Sequence, residues 1–294
     1  MTLRARDDMV ARVSDPPPLN ESELARVGSD AVADDFSELS LDRLTRDIWL
    51  WQRKKGHRFS ADDVVTAWVA VTQMPGAHRV LDLGCGIGSV LMHLAWSLPH
   101  ATLVGIEAQA VSHALALRNI AHNQLDARVV ALHGDLRCVG EPGGLVLDER
   151  FDLVTGTPPY FPVDHALEAQ DAQRAYARIE YRGGVEAYLA AGARLLMPHG
   201  RLVMCGDARA EERVRAAAND VGLRFIARTS VIARAPNPPL FAVWTLASDT
   251  AASDDGTAAT TLTLRDRAGN RTAEADALRA FSGIPTAGDP PHSR

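Results

Sequence analysis

Residues Arg79–Val90 read RVLDLGCGIGSV. Val80, Leu81 and Leu83 make a short apolar stretch, interrupted by Asp82, of the kind that fills a buried strand, and the chain then meets three glycines in five positions, Gly84, Gly86 and Gly88. Glycine is placed where backbone must turn sharply or approach a ligand without a Cβ in the way, and a helix starting at Ser89 would present unpaired N–H groups there. The spacing is G-x-G-x-G, with Ser89 and Leu91 where a dinucleotide-binding loop would carry its third glycine or alanine, so a pyrophosphate ligand is disfavoured. Asp82, at the strand end, points the same way: a carboxylate is poorly placed beside a dianionic phosphate and well placed beside a cation.

Outward from this loop, strand-like and helix-like stretches alternate. Strands are expected at 79–83, 102–106, 128–133, 151–155, 201–206, 223–232 and 241–246, with helices near 89–98, 108–122, 185–196 and 208–221. Short continuous apolar strands alternating with helices imply an α/β fold: a doubly wound, mostly parallel seven-stranded sheet with helices on both faces. Ligands of such sheets bind beyond the C-terminal strand ends. Glu107 ends the second strand, where a carboxylate can accept both ribose hydroxyls, and Asp135 ends the third, placed for an adenine amine. The fourth runs into Thr157, Pro158, Pro159, Tyr160 and Phe161. Consecutive prolines fix φ and remove two N–H donors, which leaves rigid carbonyl acceptors beside a flat aromatic wall. An exocyclic amine needs such acceptors if its lone pair is to turn out of conjugation.

VLDLGCGIGSV, LVGIEAQ and HGDL together resemble the successive motifs of class I S-adenosylmethionine-dependent methyltransferases, a Rossmann-like fold. The resemblance implies S-adenosyl-L-methionine as cofactor, without a metal, with contacts from Gly84, Gly86, Gly88, Glu107 and Asp135. Asp82 suits that cofactor's ammonium and sulfonium. TPPY is similar to the (N/D/S)-P-P-Y motif of amino-group methyltransferases, in which the first residue and the first proline carbonyl hold the target nitrogen. Thr157 departs from it, with a hydroxyl in place of an amide. WQRKKGHRFSADD, ARLLMPHGRLVMC, PNPPLFAVWTLA and TLTLRDRAGNRTAEADAL are similar to segments of bacterial tRNA(Val) adenine-N6 methyltransferases, with His57 where that family usually has tyrosine. That implies nucleic acid, in particular tRNA, as partner and an adenine amine as acceptor.

The chain has 294 residues, 46% of them hydrophobic, enough for one large core but not two full domains. The expected organisation is a loosely attached arm over 1–36, a methyltransferase domain over 37–283 and a flexible tail over 284–294. Within the domain, 37–75 would form a hairpin and helix, 76–247 the core, and 260–283 a C-terminal strand and helix. The arm holds eight acidic and four basic residues and no sustained apolar period, which is the reason for leaving it outside the core. Residues 41–59 are expected to be extended with a turn near Gly56, and Ser60 with Asp63 to cap the next helix. Cys85, Cys138 and Cys205 are scattered, which suits buried fillers in a reducing compartment better than a disulfide or zinc site. No signal or membrane segment is legible, so a cytoplasmic protein is expected.

A net charge of −6 argues against coating nucleic acid by charge alone, yet Arg53, Lys54, Lys55 and Arg58 form a local basic strip that would meet phosphates at the mouth of the site. Arg174, Arg178 and Arg182, four apart, read instead as a solvated helix face paired with Asp171 and Glu180. Two other readings stay open. One is a protein glutamine-amide methyltransferase, whose known examples bear an N-terminal helical domain for which this sequence offers too few residues. The other is a cofactor-binding RNA-associated protein that lost catalysis through Thr157.

Overall fold

A computed structural model describes residues 38–163, 171–248 and 258–285. The expected arm and most of the tail lie outside them. A two-stranded hairpin, β1 (Leu39–Arg43) and β2 (Trp49–Arg53), leads into helix α1 (Ala61–Gln73). Then follow β3 (Arg79–Leu83), α2 (Ser89–Ser97), β4 (Thr102–Glu107), α3 (Ala110–His122), β5 (Val129–His133) and β6 (Phe151–Gly156). The second half contains α4 (Ala172–Arg178), α5 (Val185–Leu195), β7 (Leu196–Asp207), α6 (Glu211–Asp220), β8 (Leu223–Ile232), β9 (Phe241–Ser248), β10 (Ala258–Thr263) and α7 (Ala273–Phe281).

The main sheet has the order β10-β8-β9-β7-β6-β3-β4-β5, with β9 antiparallel to both neighbours and every other pairing parallel. This corrects the expected seven strands to eight. The C-terminal strand expected within 260–283 starts earlier, at Ala258, and pairs in parallel with β8 from Ala258↔Ala227 to Thr263↔Ile232. Its sequence, AATTLT, buries only Leu262, which is why its sequence signal is faint. What it gains is the backbone edge of β8, which would otherwise be left open.

Strands of the sheet interior are apolar on both faces because helices cover both. One core joins Leu50 of the hairpin, Val65 and Val69 of α1, Leu91 and Leu94 of α2, Ile120 of α3 and Leu278 of α7. The other joins Leu189 of α5 and Val214 of α6 to Leu81, Val154 and Trp244 of the strands. The C-terminal helix is locked against α2, where Phe281 stacks on the His93 ring at 4.7 Å and Ser282 Oγ lies 3.0 Å from His93 Nε2.

The hairpin differs from the expected extended segment. Its turn falls at 44–48, where the buried Thr45 hydroxyl accepts the N–H groups of Asp47 and Ile48, and the chain only bends at Gly56. Ser60 and Asp63 do cap α1, the Asp63 carboxylate accepting the Ser60 N–H at 2.8 Å.

Candidate active site

At the C-terminal end of β3 the chain turns through Gly84, Gly86 and Gly88 with φ of 61°, 57° and 89°, a region that L side chains rarely adopt. A Cβ on Gly84 would lie 2.1 Å from the Tyr188 hydroxyl, whereas one on Gly86 would meet nothing within 4 Å. Gly86 therefore presents bare backbone to an open cleft. Glu107, at the end of β4, is buried behind it, with Oε2 accepting the Gly86 N–H at 2.8 Å and Oε1 the Gln109 N–H at 2.6 Å. Burial raises the Glu107 pKa and these two donors oppose the rise. A carboxylate offers about four acceptor positions, so these donors leave lone pairs for a vicinal diol.

Asp135 ends β5 and also lines this cleft, but its carboxylate is held by Arg137, with Oδ2 2.7 Å from Nη2 and Oδ1 3.0 Å from Nε. An adenine amine at Asp135 competes with that guanidinium. Asp82 is 2% exposed and lines neither this cleft nor the larger one beside it; Oδ1 accepts the Thr155 hydroxyl at 2.8 Å, and Oδ2 has no hydrogen-bond partner among the described residues. Burial pushes its pKa up to about 7. The open volume between these walls is about 100 Å³, below the roughly 300 Å³ at which ligand pockets begin. Tyr176 and Arg182 are long side chains in the lining, and their outward movement would widen it.

A second, larger cleft of about 940 Å³ adjoins the first, lined by Pro158, Tyr160, Phe161 and the strip Lys54–Arg58. Thr157, His57 and Asp63 line both clefts, and so mark the passage between them. The Tyr160 hydroxyl donates to Asp62 Oδ2 at 3.2 Å and lies 2.9 Å from Cys205 Sγ, which fixes the ring. Phe161 is 40% exposed.

The four basic residues of the strip divide into two kinds. Arg53 is paired with Asp171 at 3.0 Å, tying β2 to the start of α4, and Arg58 with Asp42 at 3.0 Å, tying the end of the strip back to β1. Lys54 and Lys55 are exposed, and Lys55 pairs with an exposed Glu38 at 3.5 Å. Arg174 and Arg178 are exposed on a helix, as expected of a solvated face, but they do not make the ion pairs expected of them. Both line the acceptor cleft, Arg178 lying 6.0 Å from the Phe161 ring centroid, while Asp171 pairs with Arg53 and Glu180 with Arg213.

His57 and Asp63 carried no positional signal as site residues, because the hairpin packing brings them to the sheet end. Asp63 read only as a cap. Its carboxyl is driven well above the usual range by burial and by the neighbouring Asp62. Burial holds the His57 imidazole below its ordinary pKa, with Asp62 opposing and Arg178 and Arg174 adding to the shift.

A glycine loop after β3, carboxylates at the next two strand ends and a proline-rich acceptor turn after β6 define a methyltransferase of class I architecture. Residues 80–182 match a family model described as methyltransferase domain. The tRNA1(Val) (adenine(37)-N6)-methyltransferase of Bacteroides thetaiotaomicron is 31% identical over 192 residues, covering 65% of this chain and 76% of that protein. The chain belongs to that family of S-adenosylmethionine-dependent methyltransferases. The release factor glutamine methyltransferase of Geobacter sulfurreducens is 39% identical over a shorter stretch of 115 residues, 39% of this chain and 38% of that one. A solved structure of a predicted O-methyltransferase from Agrobacterium tumefaciens superposes with a TM-score of 0.54 at 17% identity, covering 78% of this chain and 99% of that one, which bears on the fold alone.

Proposed function

We propose that this chain binds S-adenosylmethionine in the narrow cleft and transfers its methyl group to the exocyclic N6 amine of an adenine in tRNA. The observation that carries the reading is Thr157: it lines both the cofactor-side cleft and the basic, aromatic acceptor cleft, at the head of the T-P-P-Y turn. The residues present fit the cofactor, since Glu107 keeps acceptor capacity and the Gly86 backbone is open to the cleft. When bound, it supplies an electrophilic methyl on a sulfonium.

The protein's own part is to hold and turn the nucleophile. The Pro158 carbonyl and the Thr157 hydroxyl accept the two amine hydrogens, which rotates the nitrogen lone pair out of the ring plane. Tyr160, pinned through its hydroxyl, forms one wall for the base, and Phe161 a second surface at the cleft mouth. Gly84, Gly88 and Asp135 belong to the cofactor side of this assignment, Asp135 once Arg137 has swung away, whereas Asp82, expected beside the cofactor's cationic groups, is buried against Thr155 and lines neither cleft, so it supports the glycine loop from behind rather than touching the cofactor. Lys54 and Lys55 meet phosphates, whereas Arg53 and Arg58 act by holding the strip in place.

The similarity to release factor glutamine methyltransferases favours a second reading, an amide nitrogen of a protein as acceptor. Incubating the protein with labelled cofactor, bulk tRNA and cell protein, followed by mass spectrometry, separates the two: N6-methyladenosine in tRNA is expected, and label on glutamine instead overturns the RNA reading. Thr157→Asn adds a second check. A carbonyl is a better acceptor than a hydroxyl that must place its own proton, so the variant should methylate adenine about 10- to 100-fold faster, the equivalent of about 1–3 kcal/mol. Loss of a measurable activity in Thr157→Asn would mean that the threonine is matched to another acceptor.

A further inference from the structure

The antiparallel register of the hairpin places Leu39 opposite Arg53, Leu41 opposite Trp51 and Arg43 opposite Trp49. Residues paired across strands share a face, so these six side chains form the outer face, while Leu50 and Gln52 on the other face are buried. The outer face is unusual for a surface. Trp49 is 40% and Leu41 37% exposed, and none of the six positions is acidic, on a chain whose net charge is −6. The Arg43 guanidinium lies 5.7 Å from the Trp49 ring centroid and that of Arg118, from α3, lies 4.4 Å from the Trp51 ring.

The backbone that carries the two tryptophans is held on its outer edge. Asn123 accepts the Trp49 N–H at 3.0 Å and donates to its carbonyl at 2.8 Å; Asn119 does the same for Trp51 at 2.7 and 3.1 Å. At the far end of β2 the chain passes through Arg53 to Lys54 and Lys55, in the wall of the acceptor cleft. The stretch from Trp49 to Lys54 spans about 17 Å at strand rise.

We infer that this face is a second RNA-contacting surface, a stacking platform for unpaired bases that flank the nucleotide entering the acceptor cleft. Indole rings offer π-faces to bases of any sequence, Trp49 being the more open and Trp51 already flanked by Arg118 and the edge-on His122 ring, and Arg43 and Arg118 place positive charge beside the backbone of the same strand. Charge selects the occupant: a basic, aromatic face continuous with a basic cleft matches a polyanion bearing flat rings. The inference rests on the RNA reading of the acceptor and extends its footprint along β2.

The full chain, titrated with an oligoribonucleotide the size of an anticodon stem-loop, should lose tryptophan emission as bases stack. The Trp49→Leu/Trp51→Leu double variant should lose most of that quenching, bind roughly tenfold or more weakly and raise KM for RNA by a similar factor. Trp49→Phe/Trp51→Phe, with a flat ring of lower stacking area, should keep most of the affinity, and calorimetric affinity for S-adenosylmethionine should be unchanged in both. A merely structural role would penalise Phe and Leu alike. RNA binding without quenching, or RNA methylation with a KM indifferent to the Leu pair, overturns the platform and leaves the acceptor assignment standing. A wild-type protein that neither binds nor methylates RNA overturns both.

Discussion

Asp82 carries a carboxyl in the sheet interior with one oxygen bonded to Thr155 and the other without a hydrogen-bond partner among the described residues. In an unfolded chain an aspartate ionises near pH 3.9, and here burial moves that to about 7. Between those values the folded protein holds a proton that the unfolded chain has released, so this group's contribution to stability falls as pH rises from about 4 to about 7. Asp82→Asn, close in shape to the protonated acid, should therefore unfold like the wild type near pH 4 and be more stable by on the order of 2–4 kcal/mol at pH 8, measured without cofactor by denaturant unfolding. Equal stability of the two proteins at pH 8 would mean that Asp82 is ionised at little cost in the native state. The sequence showed that a carboxylate stands at this strand end but not that it is walled off, because that depends on Thr155 of the neighbouring strand. Glu107 was legible for the opposite reason. Its partners, Gly86 and Gln109, belong to the same β-loop-α pattern that identified it.

At the scale of elements, the sheet strands and their helices could be read because each is a continuous apolar run or a 3.6-residue period of its own. The hairpin could be read only as extended, since its turn is set by the buried Thr45 hydroxyl and its edge by side chains nearly seventy residues away. Asn119 and Asn123 stand one helical turn apart on α3, and each bonds both the N–H and the carbonyl of a β2 residue, standing in for the strand that β2 lacks on that side. Asn119, fully buried, also donates to the Ile87 carbonyl at 2.9 Å, so one amide ties the hairpin to the glycine loop. Its removal leaves three backbone groups unpaired. Asn119→Ala should cost on the order of 2–4 kcal/mol in unfolding free energy and weaken S-adenosylmethionine binding, since buried unsatisfied groups cost about 1–3 kcal/mol each. Asn123→Ala, at the exposed end, should cost about 1 kcal/mol and leave cofactor binding unchanged. Calorimetry with equal cofactor affinities for both variants would cut the proposed link between hairpin and loop.

For the whole molecule, charge distribution rather than net charge decides how a polyanion is met. A chain of net charge −6 repels RNA at long range, and the acceptor cleft answers this locally with Lys54, Lys55, Arg174 and Arg178 in one wall system. The sequence showed the strip but treated its four cations as equivalent and set Arg174 and Arg178 aside, because ion-pair partners such as Asp171 for Arg53 lie about 120 residues away. The structure separates them into Arg53 and Arg58, bonded to carboxylates, and the exposed Lys54 and Lys55, and under the proposed function only the latter would release counterions on meeting phosphates. Each phosphate contact adds just under one unit to the slope of log affinity against log salt, somewhat less on single strands. Lys54→Gln/Lys55→Gln should thus flatten the slope for the RNA substrate by about 1.5–2 units and weaken binding most at low salt, with thermal stability near wild type because exposed pairs contribute little. Arg58→Gln, by removing together the Asp42 pair and the bonds to the Ser40 hydroxyl and the Arg53 carbonyl, should lower the unfolding temperature slightly and change the slope little. The measurement is RNA affinity across a salt series for the three proteins. A slope that responds to Arg58 and not to the lysines would reverse the assignment of which cations face the phosphates and which hold the hairpin.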